Sequence, residues 1–342
     1  MQHAQGAVAD PEHGYCTDDV ARALLVDLLH QRELGWAAVE ASATRNVRFL
    51  DEAFVSASGR FRNLRRSDGA WLDAPGSEDA DARALLALAA TVASAPTGLV
   101  STAAADVFER AFLSASQVSS LRPRATVLLA CDAAVHAGIS GQVRQVYERV
   151  ADELVRSFER CEADSHWPWP EDIVTYENEL PARALIVGGR TLGRPRMLDL
   201  GLRVLDWLID AQTTRDGWLR SVGNAGWWPR GGTKAVFDQQ AISATSMLLA
   251  ADSAFAATGW PRYRDAMEMA YGWFLGRNDA RAWVAEPRSG AGGDGIGPAG
   301  VSRNRGAEST LMWLIALEHI RAIRRGSSQT EDLAHEALAA AP

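Results

Sequence analysis

The sequence has 342 residues, of which 47% are hydrophobic and 23% charged, a composition typical of a folded chain and unlike that of a disordered one. Its 35 basic and 43 acidic residues give a net charge of −8 without any long basic run, so we expect no nucleic-acid partner. Apolar runs break within about ten residues, roughly half the length of a membrane span, so we expect no membrane partner.

The three cysteines, Cys16, Cys131 and Cys161, stand far apart without a CxxC pair, which argues against a disulfide framework and a structural zinc site. We therefore predict no metal and no cofactor. The first fifteen residues lack the basic-then-apolar order of a signal peptide, so a cytoplasmic location is expected. Functional-looking residues as early as His13 leave open that the chain is a piece of a longer protein.

Hydrophobic residues recur with helical spacing along nearly the whole chain, and few segments resemble strands. Breaks that contain Gly, Pro or Asp, such as 259–261, separate the helical segments. The periodicity predicts about twelve helices, over residues 17–33, 37–55, 78–94, 99–118, 122–138, 141–161, 179–192, 195–213, 237–258, 262–276, 305–325 and 329–340.

Three odd-numbered helices begin with related sequences, namely DDVARALL at 18–25, DADARALL at 79–86 and NELPARAL at 178–185. A helical hairpin that repeats about every sixty residues indicates an open solenoid or a closed ring. The odd helices are rich in small residues, which suits an inner position, and the even helices carry more charge. We predict an all-α protein with a single (α/α)6 toroid domain over residues 1–342; an open solenoid is the alternative.

The loops that enter the odd helices are long and contain many tryptophans and acids, whereas the loops that leave them are mostly short. In a closed ring the entering loops share one end, so we expect a binding face there. Aromatic faces stack on sugar rings, although tryptophans that simply fill the barrel end are the alternative. The candidate substrate-binding residues are His13, Tyr15, His166, Trp167, Trp169, Tyr176, Asn178, Trp227, Trp228, Gln239 and Arg305.

Hydrolysis of a glycosidic bond needs one protonated carboxyl group and one carboxylate, and this end of the barrel offers many acids. Asp18 and Asp19 open helix 1; one of them can act as the N-cap while the other, about 100° around the helix, faces the cavity. N-capping is also the alternative for Asp79 and Asp81. The candidate catalytic residues are Asp18, Asp19, Glu171, Asp238 and Glu308.

Motifs in order along nearly the whole chain include HGYCTDDVAR at 13–22, TYEN at 175–178, FDQQ at 237–240, WFLGRN at 273–278 and GAESTL at 306–311. The first resembles the HGYxTDDxAR signature of a bacterial helical-barrel family whose members often occur fused to glycosyltransferases. That family is similar in layout to (α/α)6 glycoside hydrolases and sugar epimerases. The resemblance implies carbohydrate chemistry, with a glycosyltransferase as partner or fused domain. Arg305 stands where the family has Gln, so a cation near Glu308 would stabilise its charge or bind an anionic sugar group.

These features predict a carbohydrate-active enzyme, foremost a metal-independent glycoside hydrolase that acts on an oligo- or polysaccharide through a carboxylate pair. A glycoside phosphorylase is an alternative, because Arg230, Lys234, Arg303 and Arg305 could supply an anion pocket. A sugar epimerase is another, if His13 and His166 act as a pair. A non-catalytic glycan-binding module, partner to a glycosyltransferase, would need the tryptophans but not the acids.

Overall fold

Helices dominate the computed structural model, which describes residues 1–6, 8–161, 164 and 166–339, with side chains described as far as Arg325. A short 3-10 helix, Pro11–His13, precedes the first long helix. The α-helices in the described residues are α1 (Thr17–Leu34), α2 (Trp36–Ala53), α3 (Glu78–Ser94), α4 (Leu99–Ala115), α5 (Leu121–His136), α6 (Gln142–Glu159), α7 (Glu179–Thr191), α8 (Pro195–Gln212), α9 (Ala241–Thr258), α10 (Pro261–Phe274) and α11 (Ala307–Ala339).

Short strands of two or three residues tie the loops together. They are β1 (Ala4–Gln5), β2 (Val8–Ala9), β3 (Tyr15–Cys16), β4 (Phe54–Val55), β5 (Arg60–Phe61), β6 (Leu64–Arg65), β7 (Ile173–Val174), β8 (Trp228–Pro229), β9 (Gln239–Gln240), β10 (Ala285–Glu286), β11 (Ala291–Gly292), β12 (Gly295–Gly297) and β13 (Gly300–Val301). All pairings are antiparallel: β1 with β2, β3 with β6, β4 with β5, β7 with β8, β10 with β11, and β12 with both β9 and β13.

The odd-numbered helices form a closed inner ring. Each packs against the next in the order α1, α3, α5, α7, α9 and α11, and α11 packs back against α1. The even-numbered helices pack outside, each mainly on the odd helix that precedes it. The predicted (α/α)6 toroid is therefore confirmed, and the open solenoid is wrong.

Residue size explains which helices lie inside. On α3, Ala80, Ala84 and Ala87 are fully buried, because small side chains let neighbouring inner helices approach on both sides. On α6, by contrast, Tyr147, Val150 and Leu154 are buried while the opposite face is charged, as expected for an outer helix.

Two differences from the predicted helix boundaries have a clear physical reason. Helix α9 begins at Ala241 rather than at 237, because Gln239–Gln240 pairs as a strand with Gly295–Gly297. The predicted helices 305–325 and 329–340 are one continuous helix as far as Ala339, and residue 340 lies outside the described residues. A lone glycine such as Gly326 weakens a helix by about 1 kcal/mol relative to alanine without ending it.

Helix α9 is the one helix in the described ranges whose length and apolar composition would suit a membrane span. It lies in the inner ring between α7 and α11, and most of its side chains are buried there. Its apolar character therefore follows from its core position.

Candidate active site at one end of the inner ring

The first turns of the inner helices meet at one end of the ring, where they enclose a cavity of about 270 Å³. Three acids and two arginines lie in its wall, together with two aromatic side chains. The lining residues are Asp18 and Arg22 of α1, Asp79 and Arg83 of α3, Tyr176, Asn224 and Trp227 of the long loops, Gln240, Ile242 of α9 and Glu308 of α11. We call this space the central cavity.

Other groups cap the helices whose acids face the central cavity. The N-cap of α1 is Cys16, whose Sγ accepts a hydrogen bond from the Asp19 backbone N–H at 3.4 Å, so the expectation that Asp18 or Asp19 caps this helix is wrong. The N-cap of α3 is Ser77, whose hydroxyl accepts from the Ala80 N–H at 3.1 Å. These caps leave the carboxylates of Asp18 and Asp79 free to face the cavity.

Arg22 joins two carboxylates across the point where the ring closes. Its guanidinium lies 3.2 Å from Asp19 Oδ1 and 3.0 Å from Glu308 Oε2, and its side chain is only 6% exposed. Glu308 is 41% exposed and faces the cavity. Burial raises the pKa of Asp19, while Arg22 partly opposes that shift. Arg22 thus fixes Glu308 in an ion pair that leaves it accessible.

Arg83 holds the opposite wall. Its guanidinium donates to Glu177 Oε2 at 2.5 Å and lies 4.0 Å from Asp18 Oδ1. Burial acts to lower the pKa of Arg83, but Glu177 and Asp18 outweigh it and hold that pKa above its usual range. Arg83 therefore stays charged between the two acids.

Asp79 is a half-buried acid with one long side-chain hydrogen bond. Tyr176 donates its hydroxyl to Asp79 Oδ2 at 3.4 Å. Burial raises the pKa of Asp79; Arg83 opposes this effect and Asp18 adds to it. Burial and then Asp79 also raise the pKa of Tyr176 to about 12. Asp79 can therefore keep a proton at a pH where an exposed aspartate has lost it.

Two residues beside these groups have strained backbones. Among the described residues only Glu177, Trp227 and Arg281 combine a side chain with positive φ, at 48°, 56° and 48°. This conformation costs roughly 1–3 kcal/mol per residue and concentrates at functional sites. Glu177 holds Arg83, and Trp227 lines the cavity, so the strain lies where side-chain placement matters.

The loop that carries Asn224 and Trp227 folds tightly back on itself. Gly223 donates its N–H to the Ala235 carbonyl, and Asn224 to that of Asp238. A Cβ atom at Gly223 would lie 1.9 Å from the Phe237 carbonyl oxygen, so only glycine permits this approach. The close packing directs Asn224 and Trp227 into the central cavity.

Three of the predicted tryptophans do not reach the central cavity. Trp167 and Trp169 are 4% and 1% exposed, and their indole N–H groups donate to the carbonyls of Glu171 and Ile173. Trp228 stacks on Trp207, with ring centroids 5.3 Å apart. These rings fill the space between loop and helices, so assigning all three to substrate is wrong. Trp227 alone of the adjacent pair faces the cavity.

Two of the predicted acids also lie elsewhere. Glu171 pairs with Arg122 at 3.2 Å, outside the set of residues that line the cavity. Asp238 is exposed and precedes α9, whose N-cap is Gln240. Of the five candidate catalytic residues, Asp18 and Glu308 line the cavity. Asp19 does not line it but forms an ion pair with Arg22, which does.

Asn178 and Gln239 are fully buried, which contradicts a direct contact with substrate. The Asn178 amide bonds both backbone groups of Thr175 and accepts from Arg122, which shapes the turn before α7. The Gln239 amide donates to Asp279 at 2.6 Å and accepts from the Trp273 indole at 2.8 Å. Both amides therefore support the loops.

The remaining candidates lie around the N-terminal segment or at the surface. His13 lines a second cavity of about 870 Å³ with His3 and Arg305, and the two histidine rings are 4.1 Å apart. Arg305 pairs with Glu286 at 2.5 Å, and the cation that contacts Glu308 is Arg22. Tyr15 lies beside Phe49, and His166 is exposed.

Sequence reasoning missed several cavity residues. Arg22 and Arg83 stand out in the sequence only as markers of the repeat. Capping is the alternative for Asp79, but Ser77, two positions earlier, is the N-cap. The recurrence of an acid three or four positions before an arginine on inner helices was the available signal. Gln240 belongs to the FDQQ motif but is not among the predicted binding residues, and Asn224 and Ile242 have no distinguishing pattern.

No protein-family model and no curated protein sequence matches this chain. Solved structures do resemble it. A D-mannose isomerase shares 13% identity at a TM-score of 0.68, over 94% of this chain and 91% of that one. A cellobiose 2-epimerase from Spirochaeta thermophila DSM 6192 shares 15% at 0.66, over 95% and 90%. A family 76 mannosidase, Bt3792 from Bacteroides thetaiotaomicron VPI-5482, shares 9% at 0.61, over 95% and 92%.

At these identities the comparisons establish the fold, an (α/α)6 barrel that spans nearly the whole of each chain. One layout serves different chemistries, so function must be argued from the site.

Proposed function

We propose that this protein is a carbohydrate-active enzyme, and specifically a glycoside hydrolase whose reaction takes place in the central cavity. The observation that carries the proposal is the pairing of Asp79, whose pKa burial raises, with the accessible, ion-paired carboxylate of Glu308 in one cavity. Two carboxyl groups in contrasting environments are what glycosidic hydrolysis requires. The fold is shared with a mannosidase, which fits this chemistry.

Each side chain has a role that its surroundings favour. Asp79, whose pKa is raised by burial, gives its proton to the departing glycosidic oxygen. Glu308, held by Arg22, acts at the anomeric carbon directly or through a water molecule. Trp227 and Tyr176, whose ring centroids are 6.3 Å apart, offer an apolar wall for a sugar face.

The alternatives have less support from the described residues. A histidine pair for epimerisation is not assembled, because His13 lies in the second cavity and His166 is exposed. The fold shared with an isomerase and an epimerase still favours proton transfer at a sugar carbon as the second candidate, with Asp79 and Glu308 as the acid and base.

A phosphate pocket is also poorly supported. Arg230 pairs with Asp164, and Lys234 donates to the carbonyls of Ala211 and Arg220. Arg305 pairs with Glu286 and lines the second cavity with Arg303. The cations proposed for a phosphorylase therefore do not converge on the central cavity.

The test is product analysis on a library of oligo- and polysaccharides, with and without phosphate, by mass spectrometry and chromatography. We expect new reducing ends independent of phosphate. The Glu308→Gln variant should lose about 10²–10⁴-fold in turnover, because the amide keeps the shape but can act neither as a nucleophile nor as a base.

Glu268→Gln is the matched control, because Glu268 is also 41% exposed and also bonds an arginine, Arg324, but on the outer wall. It should keep normal turnover. An isomerised sugar without bond cleavage would favour the second candidate. Glycan binding with no product, unchanged in Glu308→Gln, would favour the binding module and overturn the proposal.

A further inference from the structure

A third cavity lies inside the ring, between the later turns of the inner helices and away from the long loops. Its volume is about 280 Å³ and its wall is mainly apolar, with six leucines: Leu25, Leu28, Leu29, Leu86, Leu129 and Leu249. Arg32 and Ser94, near the ends of α1 and α3, are exposed and form part of its lining, so this cavity reaches the surface there. We call it the lower cavity.

Four charged or titratable side chains interrupt this apolar wall, namely Arg32, Asp132, Arg183 and His319, and the partly buried Arg183 of α7 is the unexplained one. Its Nε is buried without a hydrogen-bond partner, and no described residue forms a hydrogen bond or ion pair with its guanidinium. Burial lowers the pKa of Arg183. The arginines at the matching positions of α1 and α3 differ, because Arg22 and Arg83 each contact carboxylates directly.

Three acids raise the pKa of Arg183 through their electrostatic field, and each of them has a closer partner. Asp132 accepts from the hydroxyl groups of Tyr147 at 2.7 Å and Thr191 at 2.6 Å. Asp252 contacts His319 at 3.2 Å, and Glu177 accepts from Arg83. Arg183 therefore has the field of nearby acids but no direct anionic partner.

Arg183 is partly buried, so its guanidinium loses part of its hydration, and an apolar wall cannot offset that cost. The planar guanidinium matches a carboxylate, to which it can donate two parallel hydrogen bonds. Leucine side chains favour an alkyl chain next to it. A dry cavity of roughly 150 Å³ can hold a benzene molecule, so about 280 Å³ has room for a carboxylate with a chain of roughly six to eight carbons.

We propose that the lower cavity is a binding site for a medium-chain carboxylic acid, whose carboxylate bonds Arg183 and whose alkyl chain lies against the leucines. The site is separate from the central cavity, with which it shares no lining residue, and the proposal does not depend on the glycosidase reaction.

The test is calorimetric titration of the full chain with butanoate, hexanoate and octanoate. Each added methylene should strengthen binding about fourfold, because it buries apolar surface. Octanol, which lacks the charge, should bind at least about tenfold more weakly than octanoate. Equal affinity for all three acids, or for octanoate and octanol, would contradict the proposal.

Arg183→Met should weaken octanoate binding by about ten- to a hundredfold. In the absence of ligand it should raise the thermal midpoint, because an unpaired and partly buried charge is removed. Arg32→Met, at the mouth of the same cavity, is the control and should retain octanoate binding within about threefold.

Glu308→Gln should bind octanoate as the unmodified protein does, which distinguishes this site from the central cavity. Unchanged binding by folded Arg183→Met would overturn the proposal, as would full displacement of octanoate by chloride, which would mark a simple inorganic-anion site. If Arg183→Met does not fold, Arg183 has a structural role and the comparison of octanoate with octanol decides the matter.

Discussion

At the scale of single residues, the candidate site depends on which groups at the helix N-termini cap the backbone and which acids face the cavity. Cys16 and Ser77 satisfy the backbone N–H groups of α1 and α3, so Asp18 and Asp79 are available to the cavity. Two arginines then organise the acids in pairs, Arg22 with Asp19 and Glu308, and Arg83 with Glu177 and Asp18. Asp79 has no ion-pair partner within 4 Å among the described residues, and burial raises its pKa although Arg83 opposes the shift.

Replacing Asp79 with Asn should remove the proton donor but not the second carboxylate. We expect turnover of a natural glycan to fall about 10²–10⁴-fold, and turnover of a dinitrophenyl glycoside to fall much less, because that leaving group needs no proton. In the unmodified enzyme, burial raises the pKa of Asp79, so activity on the natural glycan should decline as pH rises through that pKa. Steady-state kinetics with both substrates across pH measures this.

An equal loss on both substrates would contradict the role of Asp79 as acid. Asp73→Asn is the control for a helix-proximal aspartate, because Asp73 bonds the backbone N–H groups of Asn63 and Leu64 outside the cavity. It should lower stability without changing the ratio of the two activities.

The sequence could predict which end of the ring holds the acids, but not which side chains face inward. Trp227 and Trp228 are adjacent and chemically identical, yet one lines the cavity and the other stacks on Trp207. Their difference follows from the positive φ of Trp227, which a sequence pattern does not reveal. Asn178 and Gln239 looked like binding residues because buried amides that shape loops and exposed amides that bind sugars are the same residue types.

At the scale of elements, short strands decide where the inner helices begin. The periodicity of 237–258 predicted a helix from 237, but β9 pairs with β12 and delays α9 to Ala241. This pairing joins segments more than fifty residues apart, which local periodicity cannot detect. Gln240 and Ile242 reach the central cavity as a result.

Gln239 fixes this strand, and Gln239→Glu tests that assignment. The new oxygen would face the Asp279 carboxylate and the Val236 carbonyl, where the amide now donates at 2.6 and 3.0 Å. We expect the free energy of unfolding near pH 7 to fall by about 1–3 kcal/mol, measured by urea denaturation. Gln240→Glu, one residue further and partly exposed, should change stability little. Normal stability of Gln239→Glu together with lost glycan binding would restore Gln239 as a substrate ligand.

At the scale of the whole molecule, the ring offers no natural place to divide. Every inner helix packs against two inner neighbours, and α11 closes the ring on α1, the two being joined by the Arg22–Glu308 ion pair. A repeat in the sequence predicted stacked hairpins, but only the packing of α11 on α1 separates a closed ring from an open solenoid. The two helices in that contact are nearly 300 residues apart in the chain, so local sequence periodicity cannot predict it.

We propose that residues 1–342 form a single cooperative domain. Heating should give one calorimetric transition whose calorimetric and van't Hoff enthalpies agree, because unfolding any hairpin exposes two neighbours. Limited proteolysis should yield no stable half-molecule. Two resolved transitions, or a protease-resistant fragment that ends near the middle of the chain, would show separate domains.

The global stability should also depend on Glu179, a fully buried acid at the start of α7. Gln212 donates to its Oε1 at 2.6 Å, and its Oε2 has no partner. Burial raises the pKa of Glu179 from 4.5 to about 7, and the nearby Glu177 adds to the shift. The folded protein therefore holds a proton there between about pH 4.5 and 7 that the unfolded chain releases, so this group makes stability fall as pH rises through that window.

Glu179→Gln removes the titrating group, and the amide oxygen of the new side chain can still accept the hydrogen bond from Gln212. Relative to the unmodified protein, the variant should become progressively more stable from pH 5 to pH 8, by on the order of 3 kcal/mol in total. Below about pH 4, where Glu179 is protonated in the folded and the unfolded protein, the difference between the two proteins should be constant. Urea denaturation of both proteins at each pH measures it, and the other buried acids cancel because they are present in both. A difference that stays flat across the window, or that favours the unmodified protein as pH rises, would show that Glu179 is ionised in the folded state.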